Sequence, residues 1–279
     1  MAERKRAPNR LAEYKAKRNF SKTPEPSGGA AARKSAHGKK DEGRFFCVQK
    51  HLASHLHYDF RLEHAGVLLS WAVPKGPSLN TKDKRLAMRT EDHPFDYGEF
   101  EGVIPEGYGA GIVMLWDKGT WTPEPGFEDV DRALEKGELK FRLEGVKLKG
   151  SWVIVRTGAR GGGADGDPRT WLLIKHRDDW AGDVDVTTLF PLSVKSDGDF
   201  EDILAAKDPT IWKSHRPAQG GAAGAMFAEI INRAAHKKLA RDDGVKQKPS
   251  RPKQPQTKTP KRAPAPKRSA RRKTTARRP

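Results

Sequence analysis

The chemistry of this chain is concentrated between Gln49 and Glu63. From His55 onward the segment alternates: His55, His57, Asp59, Arg61 and Glu63 carry polar groups, while Leu56, Tyr58, Phe60 and Leu62 between them are apolar. A period of two is that of a β-strand with one buried face. A solvated strand face usually mixes Thr, Ser, Lys and Glu, whereas this one lines up imidazoles, a carboxylate and a guanidinium. Two imidazoles and a carboxylate form a ligand set for a divalent transition metal. An Arg one step along the same face suits an anion such as phosphate. His51 shares the parity, so an extended segment from 51 to 59 could present any three of His51, His55, His57 and Asp59. The competing reading is a polar strand face whose histidines only hydrogen-bond, and a second polar cluster downstream tips the balance towards a site.

That second cluster has two parts. Trp71-Ala72-Val73-Pro74-Lys75-Gly76-Pro77 ends a strand with a Lys held stiffly between prolines. Residues 85–97 then carry Arg85, Glu91, Asp92, His93 and Tyr97, followed by the Gly-rich run 100–111. A Glu-Asp-His-Pro tetrapeptide alone is usually a turn; its weight comes from company.

The elements that must position these groups are short. Segments 45–50, 55–63, 67–73, 85–90, 111–117, 139–143, 151–157 and 170–175 read as strands, each bounded by Gly, Pro, Asp or Lys turns. With one interposed helix at 128–136, they predict a mainly β (α+β) fold: a closed or nearly closed β-barrel of about eight strands with short flanking helices. A basic helix over 10–20, capped by Asn9 and carrying Leu11, Tyr14 and Arg18 on one side, precedes it. Residues 27–40 read as a linker and 159–167 as a Gly-rich loop. Helices are predicted over 200–206 and over 223–241, the latter with Met226, Ile230, Ala234 and Leu239 along one side. The domain plan is thus a basic arm and linker (1–40), the barrel (41–190), a helical extension (191–245) and a tail (246–279).

The formal charge of +18 is uneven. Residues 246–279 hold 14 Lys or Arg and no acid, and residues 1–40 hold 12 basic and 3 acidic side chains, which leaves 41–245 at −5. The barrel is therefore mildly acidic, and its ends seek polyanions, nucleic acid above all. The tail lacks apolar bulk and is expected to be disordered. Cys47 is the single cysteine, lying in the apolar run Phe45-Phe46-Cys47-Val48, which excludes an internal disulfide and fits a reducing compartment. No apolar run reaches the length of a membrane span, and the N-terminus lacks a secretory core.

Taken together, Val48-Gln49-Lys50-His51, the run from Ser54 to Glu63, Ser70 to Ser78, Glu91-Asp92-His93-Pro94 and Phe100-Glu101-Gly102 through Trp116-Asp117 resemble the phosphoesterase domain of bacterial and archaeal DNA ligase D. Upstream Lys17-Arg18-Asn19-Phe20 with Thr23-Pro24-Glu25-Pro26, and downstream Trp171 to Lys175, extend the resemblance over about residues 10–180. No adenylation motif and no polymerase-like remainder is seen, so a stand-alone form is expected.

The resemblance implies metal ligands His51, His57 and Asp59, with Mn²⁺ favoured although other divalent transition metals suit the same donors. It leaves His55 a supporting role. It places Arg61, His93 and Tyr97 around a phosphate, supported by Glu91, Lys75 and Arg85, with Arg18 and Glu25 reaching in from the N-terminal arm. Asn19 departs from the family's Asp. The implied activity is removal of a terminal ribonucleoside and then the phosphate from DNA 3' ends in non-homologous end joining, by direct attack of water. His93 would act as general acid or as an imidazolium. Ku and a separate ligase are the implied partners, in the cytoplasm of a bacterium or archaeon at its nucleoid. A DNA-binding accessory protein with weak catalysis is the alternative from another class.

Overall fold

The computed structural model describes residues 9–28, 43–157, 167–206 and 221–246, the last with side chains for 228–240 only. Most of the expected linker, the Gly-rich insert and the basic tail beyond 246 lie outside these residues. The strands are β1 (Arg44–Leu52), β2 (Leu56–His64), β3 (Val67–Val73), β4 (Arg85–Arg89), β5 (His93–Pro94), β6 (Gly102–Ile104), β7 (Gly111–Pro123), β8 (Glu138–Gly145), β9 (Lys149–Arg156) and β10 (Thr170–Lys175). The helices are α1 (Ala12–Ala16), α2 (Val130–Lys136), α3 (Val186–Leu189), α4 (Phe200–Ala205) and α5 (Gly221–Lys246), with a 3-10 turn at Phe95–Glu99.

Eight strands close a ring in the order β1, β2, β3, β4, β10, β9, β8, β7 and back to β1, antiparallel at each step. The predicted barrel is therefore present, and closure removes the exposed edges of its sheet. The two short strands fill lengths that the ring leaves unpaired. β5 pairs with β3 at Val67 and Leu68, where β4 has not yet begun. β6 pairs with β7 at 111–113, before β8 takes over at Gly119.

Alternation sorts each strand into two faces. Phe46, Val48 and Leu52 of β1, Tyr58, Phe60 and Leu62 of β2, and Leu69, Trp71 and Val73 of β3 belong to the main core, together with Trp116, Trp121, Phe141 and Trp152. Four fully buried tryptophans fill the interior, so it is a packed core rather than a channel. Cys47 is buried, and burial pushes its thiol up to about 12, which suits an inert core neighbour. The outer wall of β1–β3 carries a smaller cluster of Tyr14, Leu68 and Tyr97, flanked by Phe20, Phe45, Phe95 and Phe100. The N-terminal arm and the 91–109 segment lie over this wall, and the polar residues of the opening stretch sit between.

Several boundaries differ from expectation. The helix predicted over 10–20 is a single turn with no side-chain cap, because Asn9 accepts only weakly from Leu11 N, at 3.3 Å. The arm is held instead by burial of Tyr14, whose hydroxyl donates to the Pro26 carbonyl at 2.7 Å. The strand predicted over 111–117 runs on to Pro123 because Lys118–Trp121 still pair with β1. On α5, Ile230 and Ala234 are buried but Leu239 is 61% exposed. Nine residues at about 100° each bring Leu239 to the side opposite Ile230, so it does not extend that stripe. Among the described residues no helix is long and apolar enough to cross a membrane.

Gly111 marks where β7 meets the β1–β2 hairpin. A Cβ there would run into the Leu52 carbonyl and the Ala53 Cα, both backbone. Gly111→Ala is expected to lower stability by about 1–3 kcal/mol and to shift the turn between His51 and His57. Urea denaturation without metal reads the first effect, and a Mn²⁺ titration reads the second as weakened binding.

Candidate metal centre and anion pocket

The β1–β2 register sets His51 directly across from His57 and Gln49 directly across from Asp59. With Arg61 these side chains project from one face, the outer one. The chain leaves the strands at 53–55, so His55 lies in the turn with its side chain exposed. The strand parity that placed His55 beside His57 therefore breaks at that turn. Its backbone still serves the site, because His57 Nδ1–H donates to the His55 carbonyl at 3.0 Å. His51 Nε2–H donates likewise to the Gly109 carbonyl at 2.9 Å.

Both tautomers are thereby fixed, and lone pairs remain on His51 Nδ1 and His57 Nε2. These atoms stand 3.5 and 3.7 Å from the Asp59 carboxylate oxygens, and the three ligand atoms lie within 4.8 Å of one another. Two ligands bound at about 2.1 Å on a tetrahedral ion stand about 3.4 Å apart. Neutral imidazoles and a carboxylate at these separations fit a divalent metal. Burial, together with His51 and Arg61, pushes the His57 pKa down against the pull of Asp59, which keeps its ring neutral. Burial alone would raise the Asp59 pKa, but Arg61, His57 and His51 outweigh it and hold the carboxyl well below the usual range.

Arg61 is buried, and its fork is largely committed. Nε donates to Gln49 Oε1 at 2.8 Å, Nη1 to Ser70 Oγ at 2.7 Å and Nη2 to Asp59 Oδ2 at 3.1 Å. Its guanidinium lies 4.9 Å from the Tyr97 ring centroid. The geometry makes Arg61 first a clamp on Asp59, with two of its five N–H groups left over. Gln49 completes the clamp by donating to the Tyr97 and Phe100 carbonyls at 2.9 and 2.8 Å.

Opposite stands the arm. Arg18 Nε donates to Glu25 at 2.9 Å, and Nη1 donates to Glu91 at 3.0 Å and to the Tyr14 carbonyl at 3.2 Å. The Arg18 Nη2 lies 3.3 Å from His93 Nε2, and His93 Nδ1 lies 2.9 Å from the Glu91 carbonyl. A guanidinium only donates and a carbonyl only accepts, so His93 carries its proton on Nδ1 and accepts at Nε2. Burial first, then Arg61 and Arg18, drive its pKa well below 6.5. In this arrangement, without metal or phosphate, His93 is a neutral acceptor aimed at Arg18. Burial drives the Tyr97 pKa well above 10, so Tyr97 stays a phenol and a donor.

A histidine with a depressed pKa binds its proton more tightly in the unfolded chain. Stability is then complete above about pH 6.5 and falls as pH drops below it. The metal-free protein is expected to lose thermal stability as the pH falls below about 6.5. His93→Gln should flatten this loss, with His57 supplying what survives; thermal denaturation across that window checks it.

His51, His57, Asp59, Arg61, Glu91, His93, Tyr97, Arg18 and Glu25 line one cavity of about 230 Å³. Two other predicted contacts stand apart. Lys75 is exposed in the turn after β3, and Arg85 bonds Asp83 at 2.9 Å; neither reaches the cavity wall. Asn19 Oδ1 accepts from Ser21 N and Oγ at 3.2 and 2.7 Å, closing a turn that an Asp would close equally. Sequence reasoning gave no role to Gln49, Tyr14, Gly109 or Tyr108, since only register and the docked arm bring them here.

The fold is thus a closed antiparallel barrel whose outer wall, under an arginine-bearing arm, carries a His-His-Asp group that could hold a metal ion. Residues 49–156 match the family described as DNA Ligase D 3'-phosphoesterase domain, and over this span the chain belongs to that family. It is 47% identical over 218 residues to the multifunctional non-homologous end joining protein LigD of Pseudomonas aeruginosa, a match covering 77% of this chain and 24% of that protein. The protein of that name from Mycobacterium bovis is 45% identical over 150 residues, covering 53% of this chain and 18% of the relative. In Mycolicibacterium smegmatis the figures are 40% over 153 residues, 53% and 19%. The chain thus spans about a quarter or less of the length of these relatives.

Proposed function

We propose that the chain is a Mn²⁺-dependent hydrolase of DNA 3' ends. It removes a terminal ribonucleoside by phosphodiester cleavage and then the 3'-phosphate, leaving a hydroxyl for ligation in non-homologous end joining. The observation that carries this reading is the convergence of His51 Nδ1, His57 Nε2 and the Asp59 carboxylate in the cavity that also holds Arg18 and Arg61. A bound divalent ion would supply a Lewis acid for a phosphoryl oxygen and a more acidic water.

The charged residues lining the cavity favour this dependence. Asp59, Glu25 and Glu91 outnumber Arg18 and Arg61 by one, so a phosphate dianion is welcome only once a dication is present. In the first step water adds to phosphorus, the P–O5' bond breaks and the nucleoside leaves as the alcohol. Arg61 holds Asp59 ionised, His93 and Glu91 aim the Arg18 guanidinium at the phosphate, and Tyr97 donates a hydrogen bond. Lys75 and Arg85, outside the wall, are left to contact the nucleic-acid backbone beyond the reacting group. The serine–histidine contact present among the described residues, Ser151 Oγ to His176 Nδ1 at 2.9 Å, lies outside the cavity wall, so attack falls to water.

The test is a labelled primer–template ending in a ribonucleotide or a phosphate, with and without Mn²⁺. Sequential conversion to a 3'-hydroxyl that requires the metal supports the reading. Retention of DNA with no conversion of either end favours the accessory-protein alternative. Zn²⁺ and Co²⁺ in parallel decide which ion serves. The fourteen cations of 246–279 are proposed to tether the enzyme to DNA irrespective of sequence. Truncation at 245 is expected to weaken DNA binding and flatten its salt dependence; an unchanged slope would dismiss the tether. Ku and a separate ligase are the proposed cellular partners, and co-purification from nucleoid fractions checks both.

A further inference from the structure

Next to the metal cavity lies a second one of about 250 Å³, between the arm and the loop 105–110. Arg18, Glu25 and Tyr108 line both and form their common wall. Tyr108 stands out there, because it is 52% exposed while Tyr14, Tyr58 and Tyr97 are buried. Its loop turns sharply and is tied to neighbours on both sides. Gly107 and Gly109 flank it at φ 93 and 78°, conformations in which a side chain is strained. The Gly109 carbonyl accepts from the ligand His51 at 2.9 Å, and Glu106 pairs with Lys22 at 3.0 Å. Lys17 Nζ and Arg18 Cζ lie 4.9 and 5.6 Å from the ring centroid. An accessible aromatic ring among cations, on a loop tied to His51 and Lys22, is how proteins hold an unpaired base next to its phosphate.

We infer that this crevice receives the terminal nucleoside, its base stacked on Tyr108, while the phosphate it leaves behind lies on the metal side of the common wall. The inference rests on the proposed activity at DNA 3' ends and adds the subsite that selects the leaving group. A terminal nucleoside is joined to the chain at one side only, so a crevice meeting the metal cavity along one wall is enough for it. The penultimate nucleotide must continue into the duplex, whereas this crevice is bounded by arm residues 17–25 and loop residues 106–108.

The experiment compares wild type, Tyr108→Ala and Tyr108→Phe on primer–templates whose terminal ribose carries a base or is abasic. Wild type and Tyr108→Phe are expected to show a KM at least about 10-fold lower for the base-bearing end, in keeping with the usual worth of one stacked base. Tyr108→Ala should lose that preference. Separately, 2-aminopurine at the terminal position should be quenched on binding to wild type and Tyr108→Phe but not to Tyr108→Ala, a reading that needs no turnover. Equal preference in all three proteins, or quenching that survives Tyr108→Ala, overturns the subsite. Quenching by wild type without any turnover would retain the subsite and reject the hydrolase reading instead.

Discussion

Removing either side of the candidate metal centre, by His57→Ala or Asp59→Ala, is expected to lower both of the proposed end-processing steps by about a thousandfold or more. Lewis-acid stabilisation is worth several kcal/mol of transition-state charge, and each 1.36 kcal/mol is tenfold in rate. The two variants should part company in stability. His57 is only partly buried, and its partners are the His55 carbonyl and the Asp59 carboxylate, so His57→Ala leaves no buried charge alone. Asp59→Ala takes the counter-ion from Arg61, whose side chain is 2% exposed. Truncating one partner of a buried ion pair costs about 3–5 kcal/mol, on the order of 10 °C in Tm for a domain of this size. Calorimetric Mn²⁺ titration, turnover and thermal denaturation in chelator separate the effects. Full Mn²⁺-dependent activity in either variant would remove the metal assignment, and an unchanged metal-free Tm for Asp59→Ala would remove the clamp.

Arg18→Ala should act through the arm. The Glu25 and Glu91 side chains are 1% and 2% exposed, and Arg18 is paired with both. Without it Glu91 keeps Lys17 at 3.0 Å, but Glu25 keeps only the Thr23 hydroxyl, at 2.8 Å. An unpaired buried carboxylate costs several kcal/mol unless it takes up a proton or returns to water. The easier course is for residues 9–28 to leave the wall. The expected result is faster hydrogen exchange throughout the arm and a loss of activity of about a hundredfold. Arg18→Lys should rescue little, since one ammonium cannot reach Glu25, Glu91 and His93 as a planar fork does. Wild-type exchange in Arg18→Ala would show that the arm is held by the Tyr14 cluster alone.

The sequence made the barrel legible because its strands alternate cleanly, and segments such as Val67–Val73 and Thr170–Lys175 fall where their pattern puts them. β5 and β6 are too short to carry a period, so the Glu-Asp-His-Pro run reads as a turn although His93 pairs with Leu68 across from β3. The metal set was legible as four same-parity candidates. Choosing among them took either the family resemblance or the position of the hairpin turn, which strand parity does not reveal. Gln49 was hidden for a different reason: its role follows from lying opposite Asp59, and cross-strand register cannot be counted along one strand. The arm's pattern read only as a short basic helix, and it took the resemblance to bring Arg18 and Glu25 towards the site; the pattern does not disclose that Arg18 meets two buried carboxylates.

The tryptophan-filled interior and the metal wall are back to back on the same three strands. Neighbouring residues of β2 therefore face different surroundings: Tyr58, Phe60 and Leu62 the core, His57, Asp59 and Arg61 the cavity proposed to do chemistry. A lineage can exchange the bulk of the first set while leaving the second untouched. The reverse does not hold at Asp59 and Arg61, whose buried pairing ties part of the polar wall to the stability of the fold, so the two faces of one ribbon are only half free of each other.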